Sequence, residues 1–269
     1  MNNPKLYQEY NFATKRDAFD FLTEYADKIK WKKKGAKIID IGCGDGSVTA
    51  TVLKNFIPDN FEQLLGSDIN ETMVNFANEC HMDDKTKFSV LDIASDLPED
   101  MKRQFDHVFS FYALHWIKKK KQETAFKNIF ELITAGGNCL LMFVGYHTFH
   151  DIYRTLAQRE KWRSCLHPLD GFVSPYYDSQ EPEQEIRTLL SNIGFSDIVV
   201  RCQDKMFVYD SPDTMMNVVR AVNPFKMSKE MWDDFAQDYL QVIQDQKTDI
   251  DETSTATIHY SLITVYATK

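Results

Sequence analysis

Through the first half of the chain, short apolar runs of strand length alternate with stretches whose apolar residues recur every three or four positions. Residues 37–41, 63–67, 87–91, 105–111 and 138–144 predict strands, and 47–56, 70–79 and 122–133 predict the helices between them. This alternation is the signature of a parallel α/β sheet with crossover helices. Asn70 or Ser67 is placed to cap the second helix, and Ala135-Gly136-Gly137 to end the third as a glycine C-cap. After Gly145 the rhythm changes. Residues 146–177 are aromatic and irregular, and a helix follows from about Pro182 to Asn192. Residues 195–202 and 205–210 then read as two strands, 211–222 and 228–244 as amphipathic helices, and 258–268 as a last strand alternating by two. A last strand that returns to the sheet makes the intervening segment a cap inserted within one domain.

With 269 residues and 43% hydrophobic content, the chain can bury a full core. Its start has no basic segment leading into an apolar one, and the run Cys139–Val144 is far too short to cross a bilayer, so no membrane span is expected. Cys43, Cys80, Cys139, Cys165 and Cys202 form no Cys-x-x-Cys pair, which fits a reducing, cytoplasmic setting and argues against a disulfide frame or structural zinc. The net charge of −9 disfavours nucleic acid as a partner. Two basic runs, 28–34 and 118–121, read as solvated faces, with anion steering as the minority alternative.

The segment "KIIDIGCGDGSVT", residues 37–49, carries the first chemistry. Closely spaced glycines let backbone approach a ligand, and a helix starting near Ser47 offers free N–H groups. The spacing is G-x-G-x-G at Gly42, Gly44 and Gly46, not the G-x-G-x-x-G of dinucleotide sites. Asp40 and Asp45 flank it. Carboxylates there would repel a pyrophosphate but suit a ligand carrying an ammonium and a sulfonium, such as S-adenosylmethionine. Asp68 ends the second strand, where it can accept from two ribose hydroxyls; Asp92 ends the third, where it can accept from an adenine amino group with Ile93 packed on the ring. Each acid alone is more often a turn or cap residue; three at the C-terminal ends of strands make a joint signal.

"IIDIGCGDGS", "GSDIN", "LDI" and "FDHVFSFYALHWI" resemble the successive cofactor motifs of class I S-adenosylmethionine-dependent methyltransferases. With "KRDAFDFL", "IKWKKKG", "YRTLAQREKW" and "AVNPF", the chain is similar over almost its whole length to the insect juvenile hormone acid O-methyltransferases. The resemblance implies a Rossmann-like class I methyltransferase sheet, mostly parallel with an antiparallel last strand, and a helical substrate cap. One methyltransferase domain is expected over 1–269: an N-terminal helical segment at 1–34, the cofactor-binding core at 35–145, the cap at 146–257 and the closing strand at 258–269. It also implies the cofactor S-adenosylmethionine, released as S-adenosylhomocysteine, with Asp40, Gly42, Cys43, Gly44, Gly46, Asp68, Ile69, Asp92, Ile93 and Ser110 around it. The implied substrate is farnesoic acid or juvenile hormone acid, a small apolar carboxylic acid esterified in juvenile hormone biosynthesis.

Methyl transfer to a carboxylate needs no general base, because the acid is already ionised at neutral pH. Positioning and desolvation are the mechanism. No metal is expected, since His147 and His150 in "HTFH" lack an evident third ligand. Trp116, following His115, offers one N–H donor and an apolar face. By resemblance it holds the substrate carboxylate, aided by a glutamine at the position where this chain has Thr14. Candidates for an apolar wall are Tyr146, Phe149, Tyr153, Trp162, Phe172, Tyr176 and Phe225, each of which alone reads as readily as core. The alternatives are a methyltransferase of another small apolar acid, a low-turnover cofactor- and isoprenoid-binding paralogue, and a nicotinamide-dependent oxidoreductase, the last disfavoured by the glycine spacing and its acids. A homodimer is left open.

Overall fold

The computed structural model describes residues 3–169, 171–245 and 255–269, so part of the expected cap, 246–254, lies outside the described residues. Two helices open the chain, α1 (Pro4–Tyr10) and α2 (Phe12–Tyr25). Among the described residues one sheet follows, made of β1 (Lys37–Ile41), β2 (Gln63–Asp68), β3 (Thr86–Val90), β4 (Phe105–Phe111), β5 (Ile133–His147), β6 (Ser196–Tyr209) and β7 (Ala256–Thr268). Their order is β3-β2-β1-β4-β5-β7-β6. Strands β1 to β5 pair in parallel, and β7 runs antiparallel between β5 and β6. The order reverses at β1, between β2 and β4, where an open α/β sheet leaves a crevice for ligands.

The helices are α3 (Ser47–Thr51), α4 (Glu71–His81), α5 (Lys119–Leu132), α6 (Thr148–Gln158), α7 (Glu160–Arg163), α8 (Pro182–Ile193), α9 (Pro212–Val222) and α10 (Lys229–Asp245). Side-chain alternation along the strands splits the core between the two faces. On one face Ile38, Phe109 and Leu140 pack with Leu22 of α2, Ile152 of α6 and Phe235 of α10. On the other, Ile39, Val108 and Leu141 pack with Phe126 of α5 and Leu190 of α8. Apolar residues on both faces explain why β1 reads as an unbroken apolar run up to Asp40.

Three local expectations change. Helix α5 ends without a glycine: the Ile133 N–H bonds to Phe130 O, and β5 begins at once. Ala135-Gly136-Gly137 lies inside that strand, where the pairing with β4 shifts register. A Cβ on Gly137 would come 2.6 Å from Asp106 O, so this glycine serves strand approach rather than helix termination. The two strands expected around 195–210 are one, because pairing with β7 continues through Gln203 and Asp204. The helix expected at 47–56 divides into α3 and a 3₁₀ turn at Leu53–Phe56. Asn70 does cap α4, its Oδ1 accepting from Thr72 N and Met73 N.

Candidate active site

At the end of β1 the chain turns through Gly42 with φ +73°, and a Cβ there would lie 2.0 Å from Ala113 Cβ. Only glycine fits. Gly44 N–H donates to Asp68 Oδ2 (2.9 Å) and Asn70 N–H to Asp68 Oδ1 (2.8 Å), which fixes this carboxylate against the loop. A cavity of about 510 Å³ opens beside it, bordered by Tyr7, Gly42, Gly44, Asp68, Ile69, Asp92 and Ile93, and also by Lys118 and Lys121 of the second basic run. That is room for a nucleoside joined to an amino acid. Ile69 remains 65% exposed on its wall, an apolar side chain available to a ring. Asp92 is oriented by Ala94 N–H (2.9 Å) and the Ser95 hydroxyl (2.5 Å).

The electrostatics of the loop select the ligand's charge. Burial pushes Asp40 up to about 7 against the pull of the Thr49 hydroxyl, with the Asp68 charge adding to the rise. Burial also raises Asp45 and Asp68. None of the three is in an ion pair among the described residues. A cationic ligand relieves this crowding of desolvated carboxylates, and a pyrophosphate worsens it. Of these carboxylates only Asp68 lines the cavity, and with Asp92 it gives the wall an acceptor set that fits S-adenosylmethionine.

A second cavity, about 90 Å³, lies against the first, and Tyr112 and Trp116 line both. Its walls include Thr14, Phe149, Phe172, Tyr209 and Tyr260, three imidazoles, and no charged side chain. The His147 Nδ1 accepts from Phe149 N–H (3.1 Å) and the His115 Nδ1 from Val144 N–H (3.4 Å), which puts the proton of each neutral ring on Nε2. His150 is 5% exposed and its Nδ1 has no partner, at a cost of about 1–3 kcal/mol. Burial keeps these rings uncharged: His115 and His150 are pushed down to about 3, and His147 well below its ordinary value. Among the described residues no group of three or more His, Cys, Asp or Glu side chains is arranged to hold a metal. Under the cavity, Asp17 Oδ2 accepts from the Tyr112 hydroxyl (2.5 Å) and the Tyr260 hydroxyl (2.6 Å), while Arg16 pairs with Oδ1 (2.9 Å). Thr14 lines the small cavity and Tyr7 the large one, and the Thr14 side chain lowers the Tyr7 phenol against the larger rise from burial.

Residues 38–137 match the family model described as a methyltransferase domain. The juvenile hormone acid O-methyltransferase of Bombyx mori is 46% identical, with 100% of this chain and 98% of that protein covered. The chain belongs to the juvenile hormone acid O-methyltransferases. The Drosophila melanogaster juvenile hormone acid O-methyltransferase is 33% identical over 100% of this chain and 93% of its own. Among solved structures, phosphoethanolamine N-methyltransferase 2 of Haemonchus contortus, in complex with S-adenosyl-L-methionine, superposes with TM-score 0.55 at 18% identity, covering 94% of this chain and 52% of that one. The YcgJ protein of Bacillus subtilis gives 0.59 at 14% identity, covering 93% and 98%. These likenesses show the class I methyltransferase fold.

On this juvenile hormone acid O-methyltransferase fold, the residues singled out in the sequence divide. Gly42, Gly44, Asp68, Ile69, Asp92 and Ile93 line the large cavity, whereas Asp40, Cys43, Gly46 and Ser110 do not. Asp40 turns to the Thr49 hydroxyl (2.6 Å), Cys43 packs with Val74, Ala77 and Phe88, and the Ser110 hydroxyl donates to Ile41 O (2.8 Å). A Cβ on Gly46 would lie 2.8 Å from Ala77 Cβ, so this glycine packs α3 against α4. The helix end at Ser47 is closed as well: Asp45 Oδ1 accepts from both its N–H (3.2 Å) and its hydroxyl (2.9 Å).

Thr14, His115 and Trp116 meet in the small cavity with Phe149 and Phe172. The other aromatic candidates do not border it. Tyr146 bonds Asp151 (2.6 Å), Tyr153 is fully buried with its hydroxyl on Asn223 (3.2 Å), and Trp162 is a core residue whose Nε1 donates to Asp238 (2.8 Å). Tyr176 packs on the opposite face of the sheet, and Phe225 borders a separate surface cleft. Of these, Tyr153 and Trp162 are buried in the core on the cap's face of the sheet. The sequence reading missed Tyr112, Tyr209 and Tyr260, and it weighed His147 and His150 only against metal binding.

Proposed function

We propose that the protein methylates the carboxylate of a sesquiterpenoid acid, farnesoic acid or juvenile hormone acid, to its methyl ester with S-adenosylmethionine as donor. One observation carries the reading: an acid-lined cavity of cofactor size and an uncharged, apolar one meet at Tyr112 and Trp116. When bound, S-adenosylmethionine supplies a methyl carbon made electrophilic by its sulfonium. Asp68 would accept from the ribose hydroxyls, Asp92 from the adenine amino group, and Ile69 and Ile93 would pack against the base, all four being on the cavity wall. Trp116 and its neutral neighbours would hold the acid at the junction. No residue has to take a proton, because the carboxylate is ionised at neutral pH. Walls without Lys, Arg, Asp or Glu exclude water and leave the carboxylate's charge unquenched.

A cavity of about 90 Å³ takes a carboxylate-sized head, not an isoprenoid chain. The chain of the acid therefore enters as the cap parts from the sheet. Both cavities are lined by one chain, so the reading requires no homodimer. Five unpaired cysteines favour a reducing compartment such as the cytoplasm, and among the described residues no helix is long and apolar enough to cross a membrane. The test is incubation with labelled S-adenosylmethionine and a panel of fatty and isoprenoid acids, with products identified by mass. Methyl esters of the isoprenoid acids are expected; label on none of the acids would refute the reading.

A further inference from the structure

We propose that His147 and His150 are hydrogen-bonding partners of the substrate carboxylate, an uncharged pair that holds the acid at the Tyr112–Trp116 junction. The inference rests on the reading of the protein as a carboxyl methyltransferase.

Three observations carry it. The first is the state of His147. It is the N-cap of α6, and its Nδ1 is occupied by Phe149 N–H (3.1 Å), so the one polar group it has left is the Nε2–H donor. Stacking on Tyr260, with centroids 5.4 Å apart and planes at 18°, holds the ring on the cavity wall. The second is His150, on the first turn of α6. Its ring is wedged edge-on against Phe172 (5.5 Å) and Tyr177 (5.9 Å), it is 5% exposed, and its Nδ1 meets no protein partner. A buried imidazole nitrogen without a partner on the wall of a cavity is a place for a polar ligand atom. The third is what the rest of the wall lacks. The cavity lining has no Lys or Arg, so no charged donor competes for the carboxylate.

His147 and His150 are three residues apart at a helix start, so their rings fall on one side, with centroids at 5.9 Å. Each ring nitrogen reaches an oxygen at about 2.7–3.2 Å, so the two oxygens of one carboxylate can engage both rings. As the Nδ1–H tautomer, His150 donates to one oxygen, and His147 Nε2–H donates to the other. A Lys or Arg here would bind the anion more tightly and draw charge out of the attacking oxygen. Neutral donors orient it and leave it nucleophilic. The pair thus favours an anionic head group over an alcohol or ester of the same chain.

The experiment uses the full chain with S-adenosylmethionine and the best acid of the panel. His147→Asn keeps a capping side chain and removes the Nε2 donor; His150→Leu removes the imidazole; His150→Gln returns an amide donor. The first two are expected to raise KM for the acid about tenfold or more, near 1.4 kcal/mol, with the Kd of S-adenosylhomocysteine unchanged, and His150→Gln to recover most of the loss. Unchanged KM in folded His147→Asn and His150→Leu would overturn the proposal. A second arm needs no variant: with S-adenosylhomocysteine present, adding the acid to ¹⁵N-histidine-labelled protein should move the His150 Nδ1 resonance, and adding the methyl ester should not. A resonance unmoved by saturating acid overturns the proposal even if the variants fail to fold. Failure of the wild-type protein to methylate any acid would instead remove the functional reading, and this inference with it.

Discussion

The Tyr112 hydroxyl donates to Asp17 Oδ2 at 2.5 Å, and Tyr112 lines both cavities. This bond ties α2, which carries Thr14, to the residue that follows β4. Tyr260 of β7 donates to the same oxygen (2.6 Å), so three separate elements meet on one buried carboxylate. Tyr112 adopts φ +56°, a left-handed conformation unfavourable for a tyrosine, and the tie helps hold it there.

Asp17→Ala should therefore act well beyond its own position. It leaves two phenols without this acceptor and Arg16 without its ion-pair partner, and is expected to cost about 2–4 kcal/mol in urea unfolding. Activity should fall in the protein that remains folded, since Thr14 and Tyr112 lose their common anchor. Tyr112→Phe removes one bond only and should cost about 1 kcal/mol. Equal stability of Asp17→Ala and the wild type would mean the network does not tie these elements.

The two strand-end acids of the glycine loop should separate in cofactor binding. Asp68 lines the large cavity and is expected to lose about 1–3 kcal/mol of S-adenosylhomocysteine affinity on change to Ala, by calorimetry. Asp40 does not line it and is bonded to Thr49, so Asp40→Asn should leave affinity nearly intact. A loss on Asp40→Asn as large as on Asp68→Ala would place Asp40 in direct contact with the ligand.

His150 and Asp40 should give stability–pH contributions of opposite sign. Burial holds His150 near 3 against an ordinary 6.5, so between these values the unfolded chain binds a proton that the folded chain does not. That contribution rises with pH and is lost as pH falls from about 6.5 towards 3. Asp40, raised from 3.8 to about 7, holds its proton longer when folded, so its contribution is full below 3.8 and is lost as pH rises to about 7. In urea unfolding at a series of pH values around 4–6, His150→Gln should flatten the slope by up to about 1.4 kcal/mol per pH unit. Asp40→Asn should steepen it. Parallel curves for wild type and His150→Gln would show that this imidazole is not desolvated.

The sheet and most of the cofactor cavity are legible in the sequence because strand ends and glycines obey local rules. An apolar run that stops at an acid marks a strand's C-terminal edge whether the acid then faces ligand, as Asp68 does, or turns inward, as Asp40 does. Which way it turns depends on Thr49, nine residues on, and no spacing rule reports it. The cap aromatics fail for a related reason. Tyr153 and Phe172 are in contact, their rings tilted at 47° with centroids 4.3 Å apart, yet only Phe172 borders the cavity. Composition cannot distinguish a wall from the core behind it. In "HTFH" the spacing of two imidazoles is visible, but the third, His115, comes from the turn after β4, and only the fold brings the three together.

The small cavity should open when ligands bind. Val218 and Val222 of α9 line it, and Asn217 of the same helix donates to the Tyr10 hydroxyl of α1 (3.1 Å), so the two helices are coupled. Admitting an isoprenoid chain displaces α9 and, through this bond, α1, which carries Tyr7 over the cofactor cavity. Hydrogen exchange in Pro4–Tyr10 and Pro212–Val222 should slow with both ligands bound, more than with S-adenosylhomocysteine alone. Identical exchange in the two states would leave the cap without a lid function.

Thr14 offers the clearest separation of two roles. If its hydroxyl were a donor to the substrate carboxylate, Thr14→Val would raise KM for the acid and spare the cofactor. The expected role is instead a hydrogen bond to Tyr7, whose phenol that side chain already lowers, whose ring lies 3.5 Å from where a Cβ on Gly44 would sit and which lines the large cavity. Valine keeps the shape of threonine and removes only the hydroxyl, so Tyr7 loses its tie at a cost of about 1 kcal/mol. The expected result is a roughly fivefold weaker S-adenosylhomocysteine affinity with KM for the acid little changed, and Tyr7→Phe should reproduce it because it removes the same bond from the other side. The double variant should be no worse than either single one, since both delete one interaction. A rise in acid KM with unaltered cofactor affinity would return the hydroxyl to the carboxylate and leave the Tyr7 contact without a part in binding.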